Sequence, residues 1–261
     1  MRREGEVDFT RRAEPSELPE WMDEPCRYED FRACLVDLGQ CNTLTLAARP
    51  TLDFLGSVCR LHQASGMVQP THADETAMHG AHGTDGLLRV LDVGCGGGDM
   101  LRRVERWARV RGVSVELTGI DLNPYAARAA AECTPEGSAI RWLTGDAYSY
   151  GEPVDVVISS LFTHHLETPE VVQFLAWSEA TARRGWFIND LCREAVPYHL
   201  FGLLAGALRW HRFVRHDGPV SFRRSFREAD WGRMVVAAGM AESDVRLRRW
   251  TPARLCVERV R

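Results

Sequence analysis

The sequence predicts an α/β protein: a doubly wound, mainly parallel seven-stranded sheet, with helices before it and a helical insertion over its cleft. Three observations carry this. From residue 86 onward, short β-branched runs alternate with helix-patterned segments, which implies right-handed crossovers on a parallel sheet. A glycine-rich turn joins the first run to the first helix. After Asp190 the alternation gives way to an apolar, aromatic segment and then to two closing strands.

The 261 residues allow one α/β domain of ordinary size plus appended helices. A hydrophobic content of 45% and a net charge of −4 describe a soluble globular chain, neither disordered nor membrane-embedded. There is no lysine, so all 32 basic residues are arginine; they are spread along the chain and outnumbered by 36 acids, which excludes an electrostatic nucleic-acid binder. Eight cysteines show neither a C-x-x-C pair nor zinc spacing, and read as small hydrophobes. The N-terminus lacks the apolar core of a signal peptide and no run is long enough to span a bilayer. A cytoplasmic monomer or homodimer without nucleic-acid partner or membrane span is expected.

Residues 1–20, charged and carrying Pro15 and Pro19, read as a flexible tail, or one that orders only against the rest of the fold. Residues 21–85 read as a helical cap and loop. Apolar stripes predict helices over Tyr28–Leu38 and about Pro50–Gln63, capping the sheet or roofing its cleft. In residues 64–86, His72, His79 and His82 lie among glycines with no cysteine partner, and read as a solvated loop; no metal site is expected. The sheet domain then runs over 86–261. Its strands are placed at Leu88–Val93, Ser114–Asp121, Ile140–Thr144, Val154–Ser160, Trp186–Asp190, Asp244–Trp250 and Arg254–Val260. Helices are expected over about Met100–Val110, after Asn123-Pro124, and from Thr168-Pro169 to about Arg183, the last two with a polar cap and proline at the first position. A lid insertion is placed at about 192–224, helical over 195–214, and Ser225 with Glu228 reads as a capping box for a helix ending at Gly239.

The first strand and its turn read Leu88-Arg-Val-Leu-Asp-Val-Gly-Cys-Gly-Gly-Gly-Asp99. A dinucleotide fingerprint would need its third glycine at position 99, where Asp99 stands; Gly94, Gly96 and Gly98 instead spell G-x-G-x-G after the acid Asp92. This resembles the first motif of the class I S-adenosylmethionine (SAM)-dependent methyltransferases, whose loop wraps the methionine part of the cofactor. Within that family the chain is similar to small-molecule enzymes of natural-product and ubiquinone/menaquinone-biosynthesis type. The resemblance spans roughly 86–261 and implies the Rossmann-like methyltransferase sheet with its reversed last strand.

It also implies SAM as cofactor, bound by Asp92, Gly94, Cys95, Gly96, Gly98, Asp121, Leu122, Asp146, Ala147 and Ser159. Asp121 ends the second strand, where an acid accepts the ribose hydroxyls. Asp146 ends the third and would face the adenine amino group, with the Ala147 N–H reaching the ring. Each acid alone has a plain alternative as a turn or helix-start residue. Acids at three successive strand ends favour SAM over a nicotinamide.

The fourth strand leads into Leu161-Phe-Thr-His-His-Leu166, without the Asn/Asp-Pro-Pro-Tyr of enzymes acting on nucleobase or glutamine nitrogens. The His-His pair resembles that of small-molecule O-methyltransferases. It implies His164 as general base, His165 shaping the acceptor pocket and Asp190 orienting the imidazole. The alternative is that the histidines only close the adenine pocket and Asp190 only ends a strand. Phe162, Arg193, Tyr198, His199, Trp210 and His216 are the candidate substrate contacts. The reading is therefore methyl transfer to a small-molecule acceptor, at a phenolic or hydroxyl oxygen of a secondary metabolite. Methylation of an aromatic ring carbon and a non-catalytic SAM-binding module are the alternatives.

Overall fold

Buried β-branched runs build a seven-stranded sheet in the computed structural model, which describes residues 7–66 and 87–261. The strands are β1 Leu87–Val93, β2 Ser114–Asp121, β3 Arg141–Thr144, β4 Val154–Ser160, β5 Ala182–Leu191, β6 Arg246–Trp250 and β7 Arg254–Val260. Their spatial order is β3-β2-β1-β4-β5-β7-β6, parallel from β3 to β5 and antiparallel where β7 inserts between β5 and β6. The order reverses between β1 and β4, so their carboxyl ends open the crevice in which open α/β sheets bind ligands.

Both faces are covered, which is why β4 is buried along nearly its whole length. Helices α2 (Arg49–Gly66) and α3 (Asp99–Arg111) pack Phe54, Leu55, Val58, Leu101 and Val104 on one face. Helices α5 (Thr168–Thr181) and α8 (Glu228–Ala237) pack Val171, Phe174, Leu175, Trp231 and Met234 on the other. Between α3 and α5 lies the short α4 (Ala126–Glu132). A third cluster joins Cys34 and Cys41 of α1 (Tyr28–Leu44) to Ala205 of α6 (Ala195–Ala207) and to Phe213 and Val214 of α7 (Arg212–Arg224). These three helices wall the crevice from above the strand ends.

Several local expectations are corrected. The 195–214 segment is two helices, broken at Leu208–His211. Helix α5 is preceded by Glu167, whose N–H donates to the Glu170 carboxylate at 2.8 Å, while the Thr168 hydroxyl bonds Glu14. Ser225 does not cap α8: its hydroxyl donates to Ser221 O, and Arg227 N–H donates to Asp230 in its place. Asn123 accepts the Tyr125 N–H in a turn before α4 instead of starting the helix itself. From residue 7 the N-terminal arm is no free tail: Arg12 and Glu20 are buried, and Ala13 N–H donates to Arg223 O. His72, His79 and His82 lie outside the described residues.

Candidate active site

The G-x-G-x-G turn works through backbone geometry. Gly94, Gly96 and Gly98 have φ of +70°, +49° and +72°, values that side chains other than glycine rarely adopt. A Cβ on Gly94 would also drive into the Phe162 ring. The loop is fastened to β2: Gly94 N–H donates to Ile120 O, and Gly96 N–H to the Asp121 carboxylate at 2.8 Å. The second Asp121 oxygen accepts Asn123 N–H at 2.8 Å. Burial raises the Asp121 carboxyl above its ordinary range, against these two N–H groups.

Beside it, Asp92 is buried, and its Oδ1 has no hydrogen-bond partner. Burial, and then the nearby Asp121 charge, push its carboxyl well above the usual carboxylate range. Asp146 ends β3 and accepts the Tyr148 N–H at 2.9 Å, holding Ala147 at the crevice.

Asp92, Gly94, Cys95, Gly96, Asp121, Leu122, Asp146 and Ala147 all line one cavity of about 1310 Å³. Two expected cofactor contacts are corrected. Gly98 faces away, backed by the Trp142 ring, and serves as the left-handed start of α3. Ser159 points into the sheet packing with its hydroxyl unpartnered, and Ser160 lines the cavity instead.

SAM fits what is present. A buried carboxyl with one oxygen unpartnered suits an ammonium group, a glycine turn without side chains suits close approach of an extended chain, and Asp121 retains lone pairs for hydroxyl donors.

The same cavity is lined by His164 and His165, which the loop after β4 carries on a single 3₁₀ turn, Thr163–His165. Asp190, at the end of β5, accepts from His164 Nδ1 at 2.7 Å, from the Thr163 hydroxyl at 2.6 Å and from His164 N–H at 3.1 Å. Burial opposes ionisation of Asp190, yet the His164 ring and these donors outweigh it and hold the carboxyl below its ordinary range. An acceptor-only Asp190 places the proton of neutral His164 on Nδ1 and leaves Nε2 with its lone pair.

That Nε2 meets something the sequence did not foretell. Glu20, 3% exposed, brings Oε1 to 3.7 Å from it and Oε2 to 3.8 Å from His165 Nε2. His165 Nδ1 pairs with Asp23 at 2.8 Å. Burial works against a charge on His165, but Glu20 and Asp23 overcome it and raise its pKa to about 9.

Arg224, fully buried, donates to His164 O at 3.0 Å and pairs with Asp23 at 3.0 Å. Arg12 donates to Leu166 O at 2.6 Å and to Arg224 O at 2.6 Å. The arm is thereby bound to the histidine loop. Glu20 and Asp23 lie in a stretch with no periodicity and no motif spacing, so no sequence signal marks them.

Of the expected substrate contacts, only Phe162 lines the cavity, at its glycine-loop end. Arg193 is structural, bonding Phe9 O, Ser225 O and Asp230. Trp210 is buried in the α1–α6–α7 cluster. His216 stacks on Trp21 and pairs with Asp217, while Tyr198 packs against Phe9 and His199. The apolar wall of the cavity is built instead by Leu38, Leu200, Phe201, Leu204 and Phe222, with Leu35 packed over the Gly96-Gly97 turn.

Residues 90–185, which carry the glycine loop, Asp121, Asp146 and both histidines, match the family model described as a methyltransferase domain. This stretch of the chain is similar to a methyltransferase domain. Over 134 residues the chain is 29% identical to the indolepyruvate C-methyltransferase of Streptomyces griseus, a match covering 49% of this chain and 39% of that protein. The chain thus spans well under half the length of this curated relative. Among solved structures, the plantazolicin methyltransferase BpumL in complex with SAH superposes with a TM-score of 0.50 at 15% identity, covering 67% of this chain and 76% of that one. The magnesium protoporphyrin IX methyltransferase of Synechocystis PCC 6803 with bound SAH gives a TM-score of 0.49 at 18% identity, over 83% and 84% of the two chains. The seven-stranded sheet has the Rossmann-like fold of the plantazolicin methyltransferase, and no helix among the described residues is long and apolar enough to cross a membrane.

Proposed function

We propose that the methyltransferase domain transfers a methyl group from SAM to a small, largely apolar acceptor, at a phenolic or enolic oxygen of a secondary metabolite. The observation that carries this reading is one cavity lined both by Asp92, whose Oδ1 is unpartnered, and by His164, whose Nδ1 is held by Asp190. Bound SAM supplies an electrophilic methyl on a sulfonium. The chain's own residues then have three tasks. Asp92 and Asp121 hold the cofactor's charged and hydroxyl groups; the apolar walls of α1, α6 and α7 exclude water and place the acceptor; the histidine loop draws the acceptor's proton. Asp190 keeps the basic nitrogen of His164 on Nε2 by holding Nδ1–H.

A second reading, methyl transfer to carbon, is favoured by the C-methyltransferase relative. It uses the same deprotonation, since an enolate or phenolate can attack the sulfonium methyl through either oxygen or carbon, the C–S bond breaking to leave the thioether.

Single-turnover rates on a pair of phenols of high and low pKa test the reading. His164→Ala is expected to slow transfer about 10²–10⁴-fold on the high-pKa acceptor and less on the one already ionised. Equal losses on both would make His164 a positioning residue, and no loss would remove it from the mechanism.

A further inference from the structure

Glu20, His164 and His165 converge: one ligand atom from each lies within 4.8 Å of the others. We propose that these three residues bind a divalent first-row transition-metal ion of the Zn²⁺/Co²⁺/Fe²⁺ type where the histidines line the cavity.

The first argument is spacing. Glu20 lies 3.7 Å from His164 Nε2 and 3.8 Å from His165 Nε2. Both separations are too long for hydrogen bonds. These distances run to different oxygens of Glu20, and ligands held at about 2.0–2.2 Å from an ion stand roughly 3–3.5 Å apart, so the set, spread within 4.8 Å, closes by side-chain shifts of up to roughly 1 Å.

The second argument is orientation. His164 gives its Nδ1–H to Asp190 at 2.7 Å and His165 its Nδ1–H to Asp23 at 2.8 Å. Each ring has its own carboxylate behind it, the arrangement that fixes the tautomer of a metal-bound histidine and raises its basicity. Asp23 is itself held by Arg224, and Glu20 Oε1 accepts the Ser221 hydroxyl at 2.8 Å. The carboxylate and both imidazoles are therefore held before any ion arrives.

The third argument is donor chemistry. Two imidazole nitrogens and one carboxylate suit a borderline transition ion better than Mg²⁺ or Ca²⁺, and leave coordination positions open. His164 and His165 line the cavity, so the chemical class that would occupy those positions is an acceptor carrying an ionisable hydroxyl. Its oxygen would bind the ion while the O–H bond breaks and the proton passes to water. This role rests on the methyl-transfer reading and refines it: His164 Nε2 becomes a ligand, and the ion takes over stabilisation of the oxyanion. The site itself does not depend on that reading.

The test is titration of chelator-stripped, full-length protein with Co²⁺, followed by visible absorption and calorimetry. The structure leads us to expect one equivalent bound, displaced by Zn²⁺, with affinity falling at least about tenfold in Glu20→Gln. SAM affinity, measured on the same samples, should change less than twofold and shows that the variant is folded. Failure of the wild type to bind Co²⁺ or Zn²⁺, or undiminished binding by Glu20→Gln, overturns the site. Methyl transfer by stripped enzyme at the same rate as reloaded enzyme overturns the ion's role and returns the base to His164. Stoichiometric metal binding without SAM binding would leave the site standing and overturn the methyl-transfer reading.

Discussion

Asp92 illustrates how function and stability oppose each other at a single residue. Its carboxyl is buried with one oxygen unpartnered, and its folded pKa is raised. Ionising an acid whose folded pKa exceeds the unfolded value of about 3.9 costs the folded state, so stability is intact below about pH 4 and falls as pH rises through the folded pKa. Asp92→Asn should accordingly raise Tm relative to wild type at pH 7–8 and leave it unchanged at pH 4, in the absence of cofactor. The same variant should bind SAM more weakly, because the group awaiting an ammonium is gone. A thermal melt at two pH values and a calorimetric titration check both halves. For Asp121→Ala the expectation is a loss of about 1–3 kcal/mol in SAM binding, since hydrogen bonds to the ribose disappear and the Gly96 N–H loses its acceptor.

At the scale of elements, the central strands were readable from short apolar, Val- and Ile-containing runs and the others from their place in the alternation, and all seven lie within a few residues of their expected places. Caps were less readable. Several polar side chains can reach the same N–H groups, and tertiary partners decide between them: Thr168 is taken by Glu14 and Ser225 by Ser221 O. The insertion was recognised as apolar and aromatic, but which side chains face the crevice depends on the break at Leu208–His211, which turns Trp210 into the packing against α1. Apolar composition marks the element, not its inner face. Helices α1, α6 and α7 wall the cavity through side chains and make few ties to the sheet. Their amides are therefore expected to gain hydrogen-exchange protection when SAM and acceptor bind, whereas those of β1 and β4 should not change. Equal protection with and without ligands would make the three helices static walls.

Across the whole molecule, the cofactor half of the site was legible and the acceptor half only in part. The glycine turn, Asp92, Asp121 and Asp146 are tied to strand ends, so a parallel topology alone brings them to one crevice. His164 and Asp190 follow by the same logic from adjacent strands β4 and β5. Glu20 and Asp23 come from an arm more than 140 residues away in sequence, pinned by Arg12 and Arg224 through contacts that no local pattern encodes. Arg224→Met should loosen this arm: the His164 carbonyl would lose its 3.0 Å donor and keep only the longer bond from Arg12, and Asp23 would keep only His165. Asp23 is partly exposed, so the cost falls mainly on the buried His164 carbonyl left short of a donor, about 1–3 kcal/mol of stability, read as a shift in denaturant midpoint without a change in the β1–β4 core. The central claim is a SAM-dependent methyltransferase domain, and calorimetry of the purified chain against SAM and NADH tests it most directly. One equivalent of SAM, with no heat from NADH, is the predicted result; NADH binding without SAM binding would contradict it.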